Sequence, residues 1–227
     1  MPNFELLNSL KHSRLRILQM NRGEPHFAKI VVSEFVSAAI SSPIMFSKNA
    51  VDGRFFAGAV LSLKPGEPSL KTAAERGDFT PLSLRCNGFY ISGGQIAIDR
   101  DNPRFSETEG DPLFTDSQQP AESLQRIQFA LGEFQAGLEA TNVFIKSLLE
   151  LKLIEAIDMS LSFDDGERLL LRELYTINRS ALRDLDDATA IRLFRSGQLE
   201  LAYVVAASLK QFDVLAHLRN QRLLNMN

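Results

Sequence analysis

The sequence predicts an α+β fold: an N-terminal, mostly antiparallel sheet with one packed helix, then a helical half containing one β-hairpin. Short β-branched and aromatic runs fill the first half, and apolar residues at helical spacing dominate beyond Pro120. Within that second half, Asp165-Gly166 separates two further alternating runs and supplies the positive φ angles of a tight turn.

Taking the elements in order, "HFAKIVV" (His26–Val32) is short and β-branched and predicts a strand. Ser33 then offers an N-cap oxygen, and Glu34 falls in the first helical turn, where exposed amides favour a negative charge. Phe35, Ala38 and Ala39 share one face of that helix, Val36 and Ile40 widen it, and Pro43 ends it. "RFFAGAVLSL" (Arg54–Leu63) predicts a buried strand and "KPGEPS" a turn. "PLSLRCNGFYIS" and "QIAID" predict two more strands, joined at Gly93 and Gly94.

Residues 99–116, "DRDNPRFSETEGDPLFTD", break the pattern with six acids against two arginines, and their Pro and Gly content predicts a loop. A long helix follows Pro120, with a bend or break expected near Gly132 and Gly137. After the hairpin (155–177), Asn178 and Asp187 are placed to cap short helices, the second ending at Gly197. A last helix, Gln198–Leu218, is expected to bury Leu201, Val205, Leu209, Phe212 and Leu215. These boundaries give a mostly β part (1–116) and a mostly helical part (117–227), although 227 residues also suit one single domain.

Composition narrows the function classes. A net charge of −3, a pI near 5.7 and no run of Lys and Arg predict no nucleic-acid partner and no general attraction to anionic lipid. The single Cys86 rules out an internal disulfide framework and a Cys-rich zinc site, and reads as a small buried hydrophobe. The N-terminus carries Glu5 early and lacks the apolar core of a secretory signal. No window is expected to reach the roughly 18 apolar residues of a transmembrane segment. The expectation is a cytoplasmic protein, with signal-less export also compatible and homo-oligomerisation left open.

No Gly-rich phosphate loop, HExxH, paired CxxC or G-x-S-x-G is present, so no cofactor and no catalytic residue are predicted. His12, His26 and His217 are far apart in sequence. Asp99 and Asp101, followed by Glu107, Glu109 and Asp111, offer oxygen ligands that a hard cation favours. Pro103 occupies the place of a third EF-hand ligand, so a solvated loop is the expectation and the two aspartates are weak metal candidates. Arg85, within an apolar run, requires a carboxylate partner if buried. Glu34 is the candidate for that pairing, or both residues face a ligand. Tyr203 and Ser208 on the last helix are further candidates for binding a ligand by hydrogen bonds.

From His12 to Leu218 the chain resembles the bacterial SapC family, which is distinct from the SapC permease of peptide transport. The resemblance rests on "HSRLRI", "EFVSAAISSPIMF", "FAGAVLSL", "TPLSLRCNGFYI", "IAID", "GDPLF", the hairpin around Asp165-Gly166 and "GQLELAYVVAASL". Gly197, Leu199, Tyr203, Ser208 and Leu209 match the family's C-terminal pattern. Where relatives carry a tyrosine-proline-phenylalanine run after the arginine, this chain has "CNGF", and it has no tryptophan. The resemblance implies an accessory role linked to surface-layer or outer-membrane nutrient-uptake components, with a protein partner. The expectation is therefore a non-enzymatic accessory or binding protein; the alternative is an enzyme modifying a peptide or small molecule, with Glu34 and Arg85 in a shared pocket.

Overall fold

A computed structural model describes residues 3–18, 25–64, 67, 79–164 and 166–226. Asp165 and most of the turn expected over 64–69 lie outside the described residues. In chain order the elements begin with strands β1 (Phe4–Leu6), β2 (Arg16–Ile17) and β3 (Phe27–Lys29), a 3-10 turn (Val32–Glu34) and helix α1 (Phe35–Ala39). Strands β4 (Ile44–Lys48) and β5 (Phe55–Val60), helix α2 (Leu82–Arg85), then β6 (Phe89–Ser92), β7 (Gln95–Asp99), β8 (Phe105–Ser106) and β9 (Asp111–Pro112) follow. Next come α3 (Glu122–Glu150), β10 (Ile154–Ser162), β11 (Arg168–Ile177), α4 (Arg179–Arg183), α5 (Asp187–Arg195), α6 (Gln198–Ser208) and α7 (Gln211–Met226). Every named strand pairing is antiparallel, so the fold is α+β. Two compact units result, each drawn from two stretches of chain: Met1–Glu24 with Leu82–Ala136, and Pro25–Pro81 with Gly137–Asn227.

The first unit holds two small sheets, ordered β1-β7-β6 and β8-β2-β9. Gly93 and Gly94 sit at φ 57° and 78° and turn β6 into β7, as their sequence predicts. The strand expected over 81–92 is corrected in its first half. "LSLR" forms helix α2 because Pro81 precedes it and Gly88, at φ 83°, allows the chain to turn sharply into β6. The acidic segment is likewise not all loop: β8 and β9 flank β2, and Arg16 donates to the Gly110 carbonyl at 2.9 Å.

In the second unit one sheet, ordered β10-β11-β4-β5-β3, joins the C-terminal hairpin to the N-terminal strands. Successive residues of β4 point to opposite faces, and both faces are covered. Phe46 meets Phe144 of α3 with ring centroids 6.4 Å apart, while Met45 packs with Val60, Leu63, Phe163, Phe212 and Leu215. Phe35 of α1 also lies edge-on to Phe144, but Val36 and Ile40 are exposed, so the buried face of α1 is narrower than its composition implies.

Gly132 and Gly137 do not break α3, which runs from the first unit into the second as one helix. Asn178 caps α4 by accepting the Ala181 amide at 2.9 Å, as expected; the cap of α5 is Asp186, one residue earlier than the predicted Asp187. The expected last helix is two helices, interrupted after Ser208. By length and composition Gln198–Leu224 is apolar enough to cross a membrane, against the expectation that no stretch would qualify. Ala202, Val205, Ala206, Ser208, Phe212 and Leu215 of that stretch are buried within the protein.

Candidate functional site

The residues singled out from sequence are largely engaged in holding the fold. Glu34 is buried, and its Oε2 accepts the Val31 amide at 3.0 Å, tying down the start of its own 3-10 turn. Ser33, the expected cap, is exposed instead. Ser208 is buried on α6; its hydroxyl accepts the Ile44 amide at 2.8 Å and donates to the Val205 carbonyl at 2.7 Å. Tyr203 lies on the same helix but is 47% exposed. Asp99 Oδ1 accepts the Asn3 amide at 3.0 Å, and among the described residues no group of three or more His, Cys, Asp or Glu could hold a metal ion. Asp101 is exposed. Arg85 is exposed on α2 rather than embedded in a strand, so the requirement for a buried carboxylate partner lapses. It belongs to the first unit and Glu34 to the second.

Other polar clusters pair their charges internally. In the first unit Glu5 contacts Lys11, His12 and Arg100 beside a cavity of about 370 Å³. Its carboxyl is held below the ordinary range, first by the Lys11 hydrogen bond and then by His12. In the second, Arg219 is buried against Glu167 at 2.7 Å and Glu67 at 3.3 Å, with its guanidinium 4.0 Å from the Phe163 ring centroid. Arg219 Nη1 and Glu67 Oε2 are buried without hydrogen-bond partners among the described residues, so the charges of this set are paired but its hydrogen bonds are not all met.

A different feature has the character of a binding site. A cavity of about 430 Å³ in the second unit lies between residues 169–174 of β11 and a wall including His26, Phe27, Ser47, Val60 and Leu63. Its origin is a β-bulge. Ile157 pairs with Leu174 and Met159 with Leu171, so Arg172 and Glu173 together oppose the single Asp158. Glu173 takes φ 60°, which re-aims the strand. Beyond this point β11 has left β4, whose only register partner on it is Tyr175 with Phe46. Five leucines with Phe27 and Val60 make its apolar wall, and His26, Ser47, Ser62, Arg172 and Glu173 are its polar lining. Ser47 Oγ donates to the Glu173 carbonyl at 3.3 Å and Ser62 Oγ to the Lys64 carbonyl at 3.1 Å. His26 is half-buried, and desolvation holds its imidazole below the ordinary histidine range. An apolar wall with a neutral imidazole suits the uptake of an apolar group with one hydrogen-bond contact.

Sequence reasoning noted His26 but missed this cleft. The available signal was the spacing of Leu169, Leu171 and Leu174, which steps by two and then by three, as a bulge requires.

No curated protein and no solved structure matches the chain. The SapC family model spans residues 7–215, covering most of both units. By that match this chain belongs to the SapC family.

Proposed function

We propose that this SapC family member is a non-enzymatic accessory protein that binds a partner by taking one of its apolar groups into the β11 cleft. The observation that supports this is the cleft itself: about 430 Å³, with five leucines, Phe27 and Val60 in its wall, a bulge in β11 beside it and one half-buried imidazole among its polar groups. Pockets of this size and lining hold small apolar ligands or side chains. Both hydroxyls at its wall are engaged with backbone carbonyls, which disfavours a nucleophile there. The opposing reading, an enzyme built on Glu34 and Arg85, has less support, because the Glu34 carboxylate is engaged by the Val31 amide. The family resemblance directs the search for the partner toward surface-layer and outer-membrane nutrient-uptake components.

The test uses Leu170→Lys, at a cleft residue already 45% exposed and therefore tolerant of charge. Affinity capture from the native cell should retain a partner on the wild type that is lost on this variant, with circular dichroism and melting unchanged. Identical capture by both proteins would place the binding surface elsewhere.

A further inference from the structure

The first unit contains a cavity of about 270 Å³ lined by Arg85, Arg104 and Arg126, with Asp111, Ser123 and Ile127 among its other walls. Arg104 is the fixed point. Its Nη1 donates to the carbonyls of Arg85 at 2.7 Å, Asn87 at 3.1 Å and Leu84 at 3.4 Å, closing the carbonyl end of α2. Its Nε is buried and has no hydrogen-bond partner among the described residues. A buried donor on a charged group is costly to leave unmet, and Arg104 lines the cavity, so an acceptor entering there would stabilise its guanidinium. Burial holds this guanidinium below the usual arginine range, against a smaller opposite pull from Cys86. Arg126, on the second turn of α3, shares only a loose contact with Glu122 at 3.7 Å, both side chains being well exposed.

We propose that this cleft binds a small dianionic oxyanion, a phosphate or the phosphate group of a phosphomonoester, gripped by Arg104 with Arg85 and Arg126. Among the lining side chains three guanidiniums stand against the one carboxylate of Asp111, an excess of two positive charges that the exposed Glu122 beside Arg126 only partly offsets. A phosphomonoester carries about −1.5 to −2 at neutral pH and matches them, whereas a monocarboxylate leaves one uncompensated. Guanidinium forks also fit the oxygen geometry of phosphate. The chain as a whole is at −3, so the attraction is local to these side chains and not a property of the overall field.

Isothermal titration at fixed ionic strength tests this with inorganic phosphate, glycerol 3-phosphate and succinate as probes. Phosphate or the monoester should bind saturably, and whichever binds tighter identifies a free or an esterified ligand. Arg85→Gln and Arg126→Gln, both at exposed positions, should each weaken that binding by about tenfold while circular dichroism stays unchanged. The proposal is overturned if neither phosphate probe binds, if succinate binds as tightly as both, or if the two variants retain wild-type affinity.

Discussion

The Ser208 hydroxyl accepts the Ile44 amide at 2.8 Å, joining α6 to the first residue of β4 across 164 positions of sequence. Ile44 follows Pro43 and is fully buried, so without this hydroxyl its amide would face a dry core. The same oxygen donates to the Val205 carbonyl, leaving the serine little capacity for a ligand. Ser208→Ala should therefore lower stability by about 1–3 kcal/mol, the cost of an unmet buried donor. Urea unfolding should show an earlier midpoint at unchanged slope, and an unshifted midpoint would contradict this role.

Two glycines of α3 should respond to alanine with opposite sign. A Cβ at Gly132 meets nothing within 4 Å, so Gly132→Ala should gain about 0.5–1 kcal/mol from reduced backbone freedom in the unfolded chain. At Gly137 the added carbon would lie 2.5 Å from Val31 Cγ2 and 2.7 Å from its Cβ. Valine is stiff at χ1 and cannot swing clear, so Gly137→Ala should instead cost about 1–3 kcal/mol. Thermal melts of the pair should move in opposite directions.

Glu34 is expected to act through stability. Glu34→Gln keeps an oxygen for the Val31 amide and should cost less than about 1.5 kcal/mol, whereas Glu34→Ala strands that buried amide and should cost about 1–3 kcal/mol. Chemical denaturation of both variants should rank alanine below glutamine. A function lost completely in the glutamine variant at unchanged stability would point to bond-making chemistry instead.

How far these relationships could be read in advance depends on their range along the chain. The strand at Phe55–Val60 follows from a short continuous apolar run, and Gln95–Asp99 and the hairpin partners β10 and β11 from alternation and turn glycines, all of which need only neighbouring residues. Helix α2 defeats that logic because Leu82-Ser83-Leu84 alternates like a strand while Pro81 and Gly88 leave room only for a helical turn. Glu34 was legible as a residue of a first turn, but its bond to the Val31 amide is a matter of three-dimensional placement. The single register pairing of Tyr175 with Phe46, which joins the two halves in a single sheet, leaves no local trace at either position. Ser208 is similar, since its meaning resides in Ile44.

The network around Arg219 makes a prediction about acid. Glu167 contacts Lys64 and Arg219, and its carboxyl is held below the ordinary glutamate range, first by the Lys64 hydrogen bond and then by that from Arg219. A carboxyl with a depressed pKa in the folded protein contributes stability that is present above its unfolded pKa, and that contribution is lost as pH falls through the folded value. Glu167→Gln should therefore melt below wild type near neutrality, and the two curves should converge in acid below the normal carboxylate range. A constant offset at every pH would assign the difference to packing alone.

His26 supplies the complementary test of the cleft. Its imidazole is desolvated and sits below its ordinary pKa of about 6.5, so the unfolded chain takes up the proton before the folded one does. Stability from the neutral ring is thus complete above that value and declines as pH falls below it. An apolar group seated against His26 would strip away more water and depress the imidazole further, so occupancy should weaken over the same window, by at most about tenfold per pH unit. His26→Leu removes the titrating group while keeping the wall apolar. Its denaturation midpoint and its partner affinity should both lose the slope between about pH 7 and pH 5 that the wild type shows. If the leucine variant keeps that slope in affinity, the partner does not sit against this imidazole and the β11 cleft is not its binding site.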